Sequence, residues 1–267
     1  MTAQQKGDSL GDRMKGYESV PKTTLIRRTP VIIRIDGKAF HTFTRCLPGL
    51  DDSLTKTPFS TVMHAAMMYT TQMLVENVQN CVIGYTQSDE ISLLLRDYDE
   101  LETQPWFGYG VQKMASISAS IATAAFNHYF GDWVRAQAQF SDFALFDSRV
   151  YNIPKEEVTN YFIWRQQDAS RNSVQMFGRF HFSQKQMHGK NNSQVQDMLM
   201  LEKGVNWNDL NTWMKRGSCV VRVPEVGAVR DDEIPIFTQD RQYIEQHVLT
   251  PDQRERAAQA AQALLVV

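Results

Sequence analysis

Cysteine is scarce in this 267-residue chain: Cys46, Cys81 and Cys219 are scattered, odd in number and form no C-x-x-C pair. That excludes a disulfide framework and a structural zinc site, and it points to a reducing compartment, with the cytoplasm expected. Long apolar runs are missing too. No stretch is long enough to span a bilayer, and the opening MTAQQKGDSLGDRMKGYE lacks the apolar centre of a secretion signal. Low-complexity tracts and internal repeats are absent from a composition that is 42% hydrophobic and 22% charged, the balance of an ordinary globular protein. The phosphate-loop patterns GxxxxGK(S/T) and GxGxxG do not occur, nor does HExxH. His41, His64, His128, His181, His188 and His247 show no metal-ligand spacing and read as surface or satisfied core residues, except His41 beside the candidate site described below.

Net charge is −2, which exerts no general pull on nucleic acid, yet it is unevenly spread. Residues 149–222 carry 11 Lys/Arg against 6 Asp/Glu, whereas residues 223–267 carry 4 against 8. A basic middle between acidic flanks allows a local patch for phosphates, although an exposed helical surface would give the same count.

Among the segments that are present, PVIIRID is the clearest strand. Val31, Ile33 and Ile35 alternate with Ile32, Arg34 and Asp36, so one face is wholly apolar and the other turns charged at its end. After the turn-rich CLPGLDDSLTK comes a helix with Thr57 as N-cap, Pro58 in the first turn, and Met63, Ala66, Met67, Thr70, Met73, Leu74 and Asn77 at helical spacing. The methionines read as core filler. Residues 81–86 and 91–95 form a hairpin that turns through Gln87, Ser88, Asp89 and Glu90. A small-residue helix follows and ends at Gly131, with Lys113, Ser116, Ser120, Thr123 and Asn127 on its polar side; FALFDSRVYNI is a further strand.

The order strand, helix, strand, strand, helix, strand is the ferredoxin-like arrangement of the α+β class, an antiparallel sheet with two helices on one face. Beyond Pro154 the pattern predicts a helix from Lys155 to Phe180, then helices Gln194–Lys203 and Asn208–Arg216, each stopped by a glycine. A late strand SCVVRV and a helical alanine-rich tail complete the chain. No linker divides it, so residues 1–267 are read as one unit: a core at 1–153 and a largely helical extension with an acidic tail at 154–267.

The chemistry concentrates where strands end. If the first strand neighbours the hairpin, Asp36 approaches Asp89, and two carboxylates at close range call for a cation between them. Magnesium takes hard oxygen ligands, often one or two carboxylates plus substrate phosphates, and a pair of such ions stabilises both oxygens of a phosphoryl displacement. Gly37 would let backbone groups approach a triphosphate. Ordinary turns also use these residues, so both readings stand on spacing alone.

Four motifs in order, VIIRIDGKAFHTF, GYTQSDEISLLL, WF…VQKMASISAS and YFIWRQQDASRNSV, resemble the tRNA(His) guanylyltransferase family, most closely its bacterial guanylyltransferase-like members. The resemblance runs from about residue 14 to beyond residue 220. It implies a polymerase-palm core and 3′-to-5′ addition of nucleotides to the 5′ end of tRNA, with GTP or ATP as substrates and a homotetrameric assembly. It makes Asp36, Asp89 and the Gly37 carbonyl the ligands of two Mg²⁺ ions. Asp36, Gly37, Lys38, Ala39, Phe40 and His41, with Ser88, Asp89 and Lys113, would hold the nucleotide, and Glu90 would be a further essential acid. Trp164, Arg165, Gln166, Asp168 and Asn172 match a helix motif near the RNA end. Arg149, Arg165, Asp168, Arg171, Asn172, Arg179, Lys185 and Lys190 are the RNA-facing candidates.

Two departures matter. Ser170-Arg171-Asn172-Ser173 stands where eukaryotic members carry His-Ile-Asn-Asn, which shifts the expectation from untemplated guanylate addition to templated 5′-end repair. Lys56-Thr57-Pro58-Phe59-Ser60 carries an extra Thr and lacks an acid, which leaves Lys56 without a clear role. The rival readings are a palm-fold nucleotide cyclase or second-messenger synthase, and a non-catalytic RNA-binding module.

Overall fold

The computed structural model describes residues 9–45, 57–135 and 143–264, so Lys56 and the loop before it lie outside the described residues. Helix α1 (Leu10–Ser19) is capped by the Ser9 hydroxyl and buries none of its side chains, as a polar arm should. Strand β1 (Val31–Gly37) follows and leads directly into a short helix, α2 (Phe40–Arg45), that no sequence pattern signalled. Helix α3 (Thr61–Asn77) begins later than expected: Ser60, not Thr57, is its cap, accepting from the Met63 amide. Pro58 stays outside the helix because Phe59 is drawn into a packed cluster with the later helices. Strands β2 (Cys81–Gln87) and β3 (Glu90–Leu95) form the hairpin, with Ser88 left-handed at its tip (φ 51°).

Helix α4 (Val111–Arg135) runs through Gly131. That glycine is not left-handed, and inside a helix it costs only about 1 kcal/mol relative to alanine. Strand β4 (Phe146–Asn152) completes the βαββαβ core. The sheet order is β4-β1-β3-β2 continuing into β5 (Ser218–Val223) and β6 (Gly227–Asp231), antiparallel throughout. β5 follows the expectation from SCVVRV. β6 does not: its five residues are glycine-led and largely exposed, so they carry no alternating apolar signal.

Alternation in β1 and β3 sorts the core into two layers. Val31, Ile33, Ile35, Ile91, Leu93 and Leu95 face α3 and α4. Ile32, Leu94, Ile83 and Tyr85 face helix α5 (Lys155–His181). In α5, Val158, Phe162, Arg165 and Ala169 recur at helical spacing on the buried side, with Glu156 and Glu157 in the first turn and Arg179 and His181 in the last, as the helix dipole favours.

The second half of α5 builds a smaller cluster with α6 (Gln184–Met187), α7 (Asn192–Met198) and α8 (Thr212–Arg216). Left-handed Gly217 (φ 81°) ends α8, and a Cβ there would lie 2.4 Å from the Thr86 carbonyl oxygen. The Tyr85 hydroxyl donates to the Arg216 carbonyl at 2.7 Å, so α8 is pinned against β2. Helices α9 (Gln242–Val248) and α10 (Pro251–Leu264) close the chain, α9 packing Ile244 and Val248 on the α5 side. Among the described residues no helix is long and apolar enough to cross a membrane.

Candidate active site

Register brings the acids together. Asp36 pairs directly with Glu90 of β3 and with Asp147 of β4, so the three carboxylates leave the same face of the sheet. The next row on that face holds Arg34 between Ser92 and Arg149. Asp89 lies at the hairpin tip, and its carbonyl accepts the Gly37 amide at 3.0 Å, tying the end of β1 to that turn. The Lys38 amide donates to the Leu145 carbonyl at 2.7 Å on the other side.

Glycine is needed at 37 for a packing reason the sequence could not show: a Cβ there would fall 2.3 Å from the Phe40 ring. Phe40 itself is buried against Phe126 and Phe146. Lys38, left-handed Ala39 (φ 54°) and His41 are left exposed.

Burial raises the Asp89 carboxyl above the ordinary carboxylate range, its own backbone amide and the Ser88 hydroxyl oppose the rise, and the charges of Asp36 and Glu90 add to it. The folded state thus binds this proton more tightly than the unfolded chain. The linked stability is present at acid pH and is lost as pH rises through the folded value. At pH 7 the metal-free protein therefore holds a strained charge, and Asp89→Asn is expected to raise its melting midpoint by a few degrees in EDTA. The gain should shrink as the pH is lowered; thermal melts of both proteins across pH check it.

Glu90 is engaged elsewhere. Its carboxylate takes Arg165 through Nε at 2.7 Å and Nη2 at 3.0 Å, and Arg34 through Nη2 at 2.6 Å. Arg165, only 3% exposed, also donates to Asp168 at 2.8 Å, and Asp168 accepts from exposed Arg171 at 2.9 Å. Burial would push the Asp168 carboxyl up, but the hydrogen bonds and charges of Arg171 and Arg165 outweigh it and hold it below its usual range. Arg165 is thus a buried tie between sheet and helix, whereas Arg171, further along α5, faces solvent.

Arg34, Asp36, Asp89, Glu90, Arg165 and Asp168 line one wall of a cleft of about 800 Å³. The opposite wall comes from α3 and α8: His64, Trp213, Lys215 and Arg216. The His64 ring stacks on Trp213 (centroids 4.2 Å, 12°), and its Nε2 lies 2.9 Å from Asp232 Oδ1. Burial lowers the His64 pKa, with Asp232 pulling the other way. Sequence reading missed this wall, because the partners of His64 come from α8 and the segment after β6; only the basic Lys215-Arg216 pair before Gly217 hinted at it.

The remaining candidates scatter. Asn172 is exposed and reaches the cleft; Arg149, Arg179, Lys185 and Lys190 are exposed outside it. Lys113 does not reach the cleft. Helix α4 runs opposite to β4, with Ser118 bonded to Ser148 and Asn127 to Ala144, so its N-terminus is carried to the other end of the sheet. There Lys113 Nζ sits 4.7 Å from the Phe107 ring centroid.

The βαββαβ sheet, with Asp36 ending its first strand and Asp89 at its central hairpin tip, has the layout of a polymerase palm. The chain belongs to the tRNA(His) guanylyltransferase family, whose model, described as tRNAHis guanylyltransferase, matches residues 11–154. It is 44% identical to a bacterial tRNA(His) guanylyltransferase-like protein solved in complex with ATP, with a TM-score of 0.82, covering 90% of this chain and 99% of that one. A second such structure, in complex with GTP, is 41% identical with a TM-score of 0.76, covering 90% of this chain and 99% of that one. The probable tRNA(His) guanylyltransferase of Mus musculus is 26% identical over 220 residues, 76% of this chain and 68% of the mouse protein.

Proposed function

We propose that this enzyme adds nucleotides to the 5′ end of tRNA in the 3′-to-5′ direction, repairing truncated ends against the pairing strand. The observation that carries the reading is the convergence of Asp36 and Asp89 at one end of the sheet, tied there by the Gly37 amide and both lining a cleft large enough for a nucleotide and an RNA terminus. The donor set suits magnesium. Among the described residues no three His, Cys, Asp or Glu side chains form a cage, and Glu90 is held by arginines. Two carboxylates and the Gly37 carbonyl leave room for the phosphates that magnesium also takes as ligands.

When bound, a magnesium pair lowers the pKa of an attacking hydroxyl and offsets charge on a leaving pyrophosphate or AMP. The chain's own groups do the rest. Ser88 and the backbone from Lys38 to His41 border the triphosphate of an incoming GTP or ATP, whose 3′-hydroxyl attacks the activated 5′ phosphate of the RNA. Glu90, Arg34 and Arg165 hold the acids' strands in register with α5. Arg149, Arg171, Asn172, Arg179, Lys185 and Lys190 receive RNA phosphates, so binding weakens with salt. Nucleotide choice comes from pairing with the opposite strand, which needs no base-specific pocket. By resemblance the working assembly is a tetramer; the buried free thiols of Cys81 and Cys219 support a reducing compartment such as the cytoplasm.

The deciding experiment incubates the protein with labelled GTP and ATP, Mg²⁺, and a tRNA lacking its first 5′ nucleotide. Extension by the one nucleotide that pairs is the expected result. A cyclic product from nucleotide alone would replace this reading with a cyclase, and no product at all with a binding module.

A further inference from the structure

Trp164 lies on the α5 turn that also carries Arg165. It is 48% exposed, and none of the three packed clusters includes it. An exposed tryptophan on a helix would ordinarily sample several rotamers, but this one is flanked by fixed charge. The Arg165 guanidinium carbon lies 4.3 Å from its ring centroid and that of Arg34 lies 5.8 Å away, while Tyr161 approaches at 5.9 Å with the rings steeply tilted. Both guanidiniums are anchored by Glu90, the residue next to Asp89 and directly across from Asp36. The ring is therefore an open aromatic surface whose underpinning runs unbroken into the candidate active site, although the ring itself lies outside the cleft.

The surroundings say what such a surface would take. Trp164, Asp168 and Arg171 sit at i, i+4 and i+7, one stripe of α5. On the neighbouring strand, Arg149 pairs in register with Arg34. The Arg149 and Arg171 side chains are 58% and 59% exposed. Their charge is largely balanced by Asp147 at 3.7 Å and Asp168 at 2.9 Å, so the neighbourhood is not strongly basic. A half-exposed ring held by two guanidiniums, in surroundings of little net charge, fits stacking of a base better than long-range capture of a phosphate backbone. Stacking on an aromatic is sequence-tolerant, because every base has a π-face.

We infer that Trp164 is a stacking platform for an unpaired base of the RNA substrate, beside the acids that receive its 5′ end. The inference rests on the RNA-dependent reading proposed above. It differs from the phosphate contacts named there in that it adds affinity without adding salt dependence.

The test measures equilibrium binding of the full chain to two RNAs. One is a tRNA lacking its first 5′ nucleotide, which leaves the opposite base unpaired; the other is a blunt, fully paired acceptor stem. Wild type, Trp164→Ala, Trp164→Phe and Trp164→Leu are compared at several salt concentrations. The expected result is a loss of about 5- to 100-fold for Trp164→Ala on the truncated tRNA, the range for one lost base–aromatic stack. The dependence on salt should stay unchanged, and the loss on the blunt stem should be much smaller. Phenylalanine should restore most of the affinity and leucine, of similar bulk, little of it; that contrast decides the matter if the alanine variant does not fold.

Wild-type affinity in Trp164→Ala and Trp164→Leu overturns the platform while leaving the proposed activity intact. An equal loss of affinity for ATP without RNA also overturns it, since that would mean the Arg34–Glu90–Arg165 cluster had collapsed. A fall in assembly mass at unchanged RNA affinity gives the surface to a second copy of the chain, and overturns it too. If wild type neither binds nor extends any RNA, the reading of the function fails together with the platform.

Discussion

Asp36→Ala should lower nucleotide addition by roughly 10³-fold or more, and Asp89→Ala by a similar factor, because each removes one of the two carboxylates proposed to hold a cation at the reacting phosphate. The fold should survive. Asp36 sits at the end of β1, past the fully buried Ile32, Ile33 and Ile35, and among the described residues no hydrogen bond or ion pair of its side chain holds the strand in place. Its charge raises the proton affinity of Asp89, so removing it relieves a repulsion in the metal-free protein. Activity and stability therefore part company: single-turnover addition to a 5′-activated RNA falls steeply while the melting midpoint in EDTA holds or rises. An Asp36→Ala protein that extends RNA at near-normal rates under Mg²⁺ would falsify the proposed site.

Glu90→Ala should do the opposite and damage the fold as well as the reaction. The carboxylate holds two guanidiniums at once, and Arg165 is almost wholly buried. Without it Arg165 keeps Asp168 alone and Arg34 loses its ion-pair partner, and breaking such a buried pair costs about 3–5 kcal/mol. At about 2–4 °C per kcal/mol for a protein approaching this size, that is a drop in melting midpoint on the order of 10 °C. Glu90→Gln keeps the shape and part of the hydrogen bonding, so its loss should be smaller. If Glu90 served as a metal ligand instead, the stability of Glu90→Ala in EDTA would match wild type, and only Mg²⁺-dependent measurements would separate the two. Melts with and without Mg²⁺ decide between these roles.

Much of the fold was legible because its signals are local. The alternation in PVIIRID, the hairpin around Ser88-Asp89 and the helix starting at Lys155 each rest on patterns a few residues long, and each formed as read. Asp36 and Asp89 stood out by resemblance and not by spacing, since ordinary turns use the same residues. Local signals misled where a distant contact overrode them. Thr57 and Pro58 look like a helix start, yet Phe59 is claimed by the cluster with α5 to α8. Lys113 matched a nucleotide-binding residue by resemblance, but the direction in which α4 crosses the sheet takes it away from the cleft. Glycine at 37 looked like an accommodation to a ligand, and its first duty is to the ring of Phe40.

The amino-acid order by itself determined strands β1 to β5, the longer helices within a few residues of their ends, and the family, since periodicity and motif spacing act over a few residues. Tertiary structure alone decided that Glu90 belongs to two arginines, that His64, Trp213, Lys215 and Arg216 face the acids across a cleft, and that Trp164 stands open beside them. Those pairings join segments far apart in the chain. Contacts of that kind are set by how elements cross and pack, and no local pattern encodes them.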